Sequence, residues 1–167
     1  MTQVFGGLRP HFIYRARLVD RAGNVISDET VKNLVPTEGL DAMQNILFNG
    51  AAAPSAWYAG LYSGNYTPTA DVTAATIVSA ATEFTGYASP TRVQFQPTAS
   101  AGGIVAGAAD IEFDFTSSAS IYGGFIGTSS TKNSNTGALW SVVRFPSPKP
   151  ATDELKLLVS VGFVLFS

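Results

Sequence analysis

Chemistry in this chain would have to be done with one histidine and no cysteine. A His-based metal site or a Ser-His-Asp triad would rest on His11 alone, and both need a set of converging partners. None is visible around His11, which reads as an exposed residue on the polar face of a strand. Without Cys, disulfides and thiolate metal sites are excluded, and stability falls to packing or to contacts between copies. That suits assembly in a reducing cytoplasm.

The strongest charge feature is the row Asp110, Glu112 and Asp114, which alternates with Ile111, Phe113 and Phe115. Period-two spacing projects the three carboxylates from one face of a strand while the apolar residues enter a core. Such a row could hold a hard cation such as Ca²⁺, or receive Lys and Arg from a partner. Ca²⁺ sites also draw on loop carbonyls and a tight Gly turn, so the first reading is a solvated face, paired with Arg15 or Arg144 from a neighbouring strand.

Twelve acids permit a glycosidase-like pair about 5 to 10 Å apart by chance, yet nothing singles one out; Glu83 and Glu112 are the first to test. Trp57, Tyr58, Tyr62 and Tyr66 could form a platform that stacks on sugar faces. Strand parity of Trp57 with Ala59 and Leu61 points instead to a core. The glycine pairs Gly102-Gly103 and Gly123-Gly124 lack the Lys and the strand-to-helix setting of a phosphate loop and read as turns or bulges.

These residues need elements to hold them. HFIYRARLVD, RAGN and VISDETVKNLV read as strand, turn, strand, with Phe12, Tyr14, Ala16 and Leu18 on the dry face. If Ala22 and Gly23 form a two-residue hairpin loop, Arg17 stands opposite Asp28 as a surface ion pair. The spacing of Leu40, Met43 and Leu47 predicts a helix over TEGLDAMQNILF. Thr37 would cap it, Glu38 and Asp41 would sit in its first turn, and Asn49 and Gly50 would end it. WYAGLYS is the next strand. The long polar connection that follows carries Pro68 and Pro90 and a helical turn near Asp71 to Ala75. RVQFQP, IVAGAADIEFDFT, SIYGGFIGTSS, ALWSVVRFP and LKLLVSVGFVLFS then read as strands at regular spacing. The last is apolar on both faces and should be central.

Six to ten strands with one helix and no alternating βα units predict a mainly β chain, an antiparallel β-sandwich of jelly-roll type with one short helix. At 167 residues there is room for one substantial core, which places a single domain over 11–167 and an N-terminal arm over 1–10. Hydrophobic residues make up 46% and charged residues only 13%, about half the usual charged share, so the chain should fold and leave a surface for partners to cover. A net charge of -2 gives no basic field for nucleic-acid phosphates. The apolar runs fall short of the roughly 20 residues of a membrane helix. The N-terminus lacks the blocks of a signal peptide, which suits a chain made without secretion.

From Asn33 to Arg92 the sequence resembles a pattern in the cement or decoration proteins of tailed bacteriophages, which reinforce the outer face of the capsid. The matching pieces are NLVPTEGLDAMQNILF, WYAGLYS and ATEFTGYASPTR, the last an E-x-x-GY-x-x-x-x-R element. Similar strings occur in other phage structural proteins, including tail components. The resemblance implies a virion protein that is not an enzyme and has no catalytic residue, cofactor or metal. It also implies assembly as dimers or trimers on the exterior of a shell built of major capsid protein, with neither nucleic acid nor membrane as partner. Candidate contacts are Phe5, Leu8 and Arg9 in the arm, which could order on the shell or on a neighbouring copy, and Asp110, Glu112 and Asp114 in the acidic row. The alternatives are a tail or fibre module that binds a host glycan through Trp57, Tyr62 and Tyr66, and, last, a hydrolase of cell-wall or capsular sugar.

Overall fold

In a computed structural model, which describes residues 10–164, apolar alternation builds two sheets. The elements in chain order are β1 (His11–Asp20), β2 (Val25–Lys32), α1 (Thr37–Phe48), β3 (Trp57–Tyr62), α2 (Ala74–Ala81), β4 (Glu83–Phe84), β5 (Val93–Phe95), β6 (Ile104–Ala106), β7 (Ile111–Asp114), β8 (Ala119–Gly127), β9 (Leu139–Ala151) and β10 (Leu155–Val164). In the first sheet β1 lies between β2 and β10, and both β6 and β7 pair with the far side of β10. In the second, β3 carries β4 and β5 on one side and β8 on the other, with β9 beyond it. All these pairings are antiparallel.

The sheets pack face to face. Tyr14, Ala16 and Leu18 of β1 and Leu157, Val159 and Val161 of β10 meet Leu61, Ile126 and Val143 of the second sheet in one core. Ile111, Phe113 and Phe115 enter that core as their alternation predicts, while Asp110 and Glu112 stay outside. The central place of β10 also follows from its apolar sequence, and Leu157, Val159 and Val161 are its buried face.

The first hairpin keeps its register and changes its loop. Arg17 stands opposite Asp28, but a bulge between Leu18 and Val19 widens the turn to the residues between Asp20 and Val25. The Asp20 carboxylate causes this by accepting hydrogen bonds from the main-chain N–H and side-chain amide of Asn24, both at 2.8 Å. The ion pair is diagonal as well: Arg15, not Arg17, holds Asp28, with Nε and Nη2 at 2.9 and 2.6 Å.

Helix α1 spans the residues the periodicity predicts and ends at Asn49, with Gly50 at φ +69°. Thr37 does not cap it, because Pro36 holds that position. Among the described residues two helices stand where one is expected. What reads as one turn near Asp71 is the approach to α2, where Ala74, Ile77 and Ala81 are buried at helical spacing and the Thr76 hydroxyl accepts the Thr73 N–H at 3.0 Å. Small and β-branched residues hide that stripe in the sequence. The expected strand IVAGAADIEFDFT is likewise two, β6 and β7, split at Gly107–Asp110.

β9 is an edge strand, and Pro146, Pro148 and Pro150 remove alternate N–H donors from it. Its earlier half is covered by Leu34, which exchanges two hydrogen bonds with Val142 at 2.9 and 3.0 Å. The expected arm at residues 1–10, with Phe5, Leu8 and Arg9, lies outside the described residues except for Pro10.

Candidate binding surface

Helix α1 lies against β9 at contact distance because Gly39 has no side chain. A Cβ there would stand 2.9 Å from the carbonyl oxygens of Leu139 and Trp140. Leu40 and Met43 pack onto the core from this position, but the helix has more apolar residues than the core can cover. Leu47 and Phe48 at its end are 70% and 80% exposed.

Beside them an open groove of about 320 Å³ runs between α1 and one end of the sandwich. Met43, Ile46 and Leu47 form the helix wall. Trp57 and Trp140 meet edge to face with centroids 5.6 Å apart, Phe12 and Phe163 meet at 4.8 Å, and Phe95, Pro97 and Val105 complete the lining. Among the described residues every lining side chain is apolar or aromatic and none is titratable, so the groove can bind by dehydration and shape. The strand alternation that places Phe12 and Trp57 is legible in the sequence. Their meeting with Phe163 and Trp140 depends on long-range pairing and left no local signal.

The helices and the loop between β8 and β9 are tied to the sheets by polar contacts that spacing alone does not reveal. Glu38, expected only as an acid in a first turn, accepts hydrogen bonds at Oε2 from Ala74 N–H at the start of α2 and from Leu139 N–H at the start of β9, at 2.8 and 2.7 Å. One carboxylate oxygen thus ties both helices to the sheet.

A second anchor is the E-x-x-GY-x-x-x-x-R element. Its Glu83 and Arg92 are a buried ion pair, and Arg92 reaches on to the carbonyls of Ser129 and Ser134 while Glu83 takes the Asn133 N–H at 2.8 Å. Lys132 donates to the carbonyls of Thr85 and Tyr87 and stands 3.7 Å from the Tyr87 ring centroid. Its pKa is lowered by burial, against the pull of the Glu83 charge. The element pins the loop between β8 and β9, with Glu83 in use there as a structural anion.

The acidic row faces outward and is paired within the chain. Asp110 bonds Arg17, Asp114 bonds Arg21, and Glu112 bonds Lys156 at 2.7 Å. Each carboxylate meets its own cation, and among the described residues no group of acids, His or Cys is gathered to hold a metal ion. The partners differ from those expected: Arg15 goes to Asp28, and Arg144 goes to Asn65 and the Tyr66 carbonyl.

The sugar platform is corrected. Tyr62 is fully buried and donates its hydroxyl to the Val143 carbonyl at 2.8 Å, Tyr66 packs on its edge, and Trp57 is in the groove. His11 is half-buried, not exposed, opposite Val164. Gly102 and Gly103 make the expected turn with positive φ, and Gly123 borders a register shift in β8 with the Tyr62 ring against it. Among the described residues no helix is long and apolar enough to cross a membrane. No family model matches this sequence, and no curated protein matches it.

Proposed function

We propose that this chain is a bacteriophage virion structural protein, a cement or decoration protein that sits on the exterior of the head and stabilises it across joints between major capsid subunits. The observation that carries this reading is the apolar end of α1, where Leu47 and Phe48 project into solvent beside a groove whose lining, among the described residues, is wholly apolar or aromatic. Exposed apolar surface of this kind marks a place where another macromolecule docks. The resemblance from Asn33 to Arg92 supplies the kind of partner, and its three pieces include α1 itself and the Glu83–Arg92 anchor.

The action is adhesion without catalysis. A domain that binds assembled shell and not free subunits shifts the equilibrium toward the intact particle by mass action. Further copies of the chain, as dimers or trimers, belong to the proposal, as does the finer jelly-roll winding. What supports that winding is that the first strand pairs with the last described strand, β1 with β10, and that the chain crosses repeatedly between the sheets. Of the candidate contacts, Asp110, Glu112 and Asp114 reach a partner only by exchanging their own cations, which ranks them behind Leu47 and Phe48.

The test is co-sedimentation with heads of the encoding phage that lack this protein. Saturable binding that raises the temperature at which heads open supports the proposal. Protein left in the supernatant at every ratio overturns it.

A further inference from the structure

We infer that the outer edge of β2 is where two copies of this chain join, antiparallel and about a twofold axis through Thr30, so that one sheet runs on from one copy into the other. This concerns the free chain and does not rest on the capsid reading. In the ladder between β1 and β2 the Asn33 N–H donates to the Phe12 carbonyl at 3.0 Å. Hydrogen-bonded pairs alternate along an antiparallel ladder, so Val31, Glu29 and Ser27 also turn their main-chain groups toward β1. Asp28, Thr30 and Lys32 turn theirs outward, and among the described residues no strand pairs with that side of β2. All three residues are exposed.

The other described edges are poor templates for such pairing. β9 carries its three prolines, and β4, β5, β6 and β7 are only two to four residues long. β2 has eight residues, no proline, and a regular ladder from Ser27 to Lys32 beyond the bulge. Charge then selects a second copy as the occupant and fixes its register. With Thr30 opposite Thr30 of the second copy, Lys32 stands opposite Asp28 on both sides of the axis, and all three outward residues exchange main-chain hydrogen bonds. An axis at Asp28 or at Lys32 would set like charges face to face, and one at Glu29 would leave Lys32 opposite Ile26. Lys32 forms no ion pair among the described residues, so its charge is available to the second copy. A twofold contact uses the same patch on both copies and closes at a dimer.

The sequence has no Cys, so the contact can be trapped cleanly in the full chain. Hydrogen-bonded partners stand about 5.5 Å apart at Cα, within the span of a disulfide. Thr30→Cys should therefore crosslink two copies on mild oxidation. Lys32→Cys should not, because its two positions lie four residues apart along the joined strands, about 14 Å. By sedimentation equilibrium the unmodified chain should reach twice its 17.5 kDa mass. Lys32→Glu should raise the dimer dissociation constant about tenfold. Thr30→Pro removes an outward donor and spares the ladder with β1, so it should give a monomer with an unchanged far-ultraviolet spectrum. A chain that sediments as a monomer at every concentration would overturn the inference. So would an assembly that Lys32→Glu leaves intact and in which Thr30→Cys fails to crosslink.

Discussion

Arg92 closes on Glu83 with two hydrogen bonds, Nε to Oε1 at 2.9 Å and Nη2 to Oε2 at 2.7 Å, and both residues are buried beneath the loop that joins β8 to β9. The Phe125 ring lies against the guanidinium at 4.9 Å, so water cannot take over if one partner is removed. Truncating Glu83 or Arg92 to Ala therefore leaves a lone buried charge and should cost about 3–5 kcal/mol. The double variant Glu83→Leu with Arg92→Met should recover most of that loss. Urea unfolding of the three variants checks it, and single variants as stable as the parent would contradict the anchoring role.

Glu38 offers a sharper case, because one oxygen serves two chain segments. Glu38→Ala strands the Ala74 and Leu139 N–H groups, and hydrogen bonds to charged groups contribute about 1.5–3 kcal/mol each. Hydrogen exchange should speed up at residues 74 and 139 and in the first turn of α2, more than in β1 and β10. A uniform change across both sheets would argue against the tie.

Close approach at Gly123 should make that position intolerant. A Cβ there would stand 2.1 Å from the Val143 carbonyl oxygen and 2.3 Å from the Tyr62 hydroxyl, and the carbonyl belongs to a paired strand that cannot retreat. Gly123→Ala should cost about 3 kcal/mol or more, at the upper end of overpacking changes. Gly23→Ala, at a tip with nothing within 4 Å but with φ +90°, should suffer only backbone strain of about 1 kcal/mol. Thermal midpoints that rank the two variants in the opposite order would contradict the packing described.

Burial raises the hydroxyl pKa of Tyr14, Tyr62 and Tyr87, with the Glu83 charge adding to the effect at Tyr87. The native state therefore keeps protons that the unfolded chain releases near pH 10. Their stabilising contribution is complete below that pH and is lost as pH rises above it. At the acid end the Asp28 and Glu29 carboxyls lie below their ordinary range. The Arg15 hydrogen bond lowers Asp28 against slight desolvation; for Glu29, partial burial raises the pKa, but bonds from Lys149 and Ser147 outweigh it. Their contribution is present above about pH 4 and falls away below it. The unfolding midpoint should thus hold a plateau and drop on both sides, and Tyr62→Phe should soften the alkaline drop. A midpoint that stays flat from pH 9 to pH 11 would contradict the burial of these hydroxyls.

How much of this was legible depended on range. Elements with a local period came through: α1 at Thr37–Phe48, the dry face of β1, and the Ile111, Phe113, Phe115 alternation. α2 was obscured because Ala, Thr and Val carry little contrast between a buried and an exposed face. The break between β6 and β7 was hidden because Gly107 and its Ala neighbours suit a strand as readily as a turn. Register was predictable at Arg17 and Asp28, yet the ion pairs were not, since long side chains reach diagonally and Arg17 finds Asp110, just ahead of β7 and far away in sequence. The groove was least legible of all. Phe12, Trp57, Trp140 and Phe163 come from four strands, and only the pairing of chain ends and the seat of α1 bring them together.

Leu47 and Phe48 contribute little to the core, so Leu47→Ser with Phe48→Ser should change stability by no more than about 0.5 kcal/mol per site. The same change should abolish retention on phage heads. Loss of binding without loss of stability separates an adhesive surface from a structural one. Full retention by the double variant would move the contact elsewhere on the molecule.

The proposed virion role is tested most directly by reconstructing phage particles assembled in the presence of this chain, at a resolution that shows strands. The account predicts density for the two-sheet domain on the outside of the head, straddling neighbouring capsid subunits, with the end of α1 turned toward the shell. Density for the domain in the tail, or none anywhere on the particle, would contradict it.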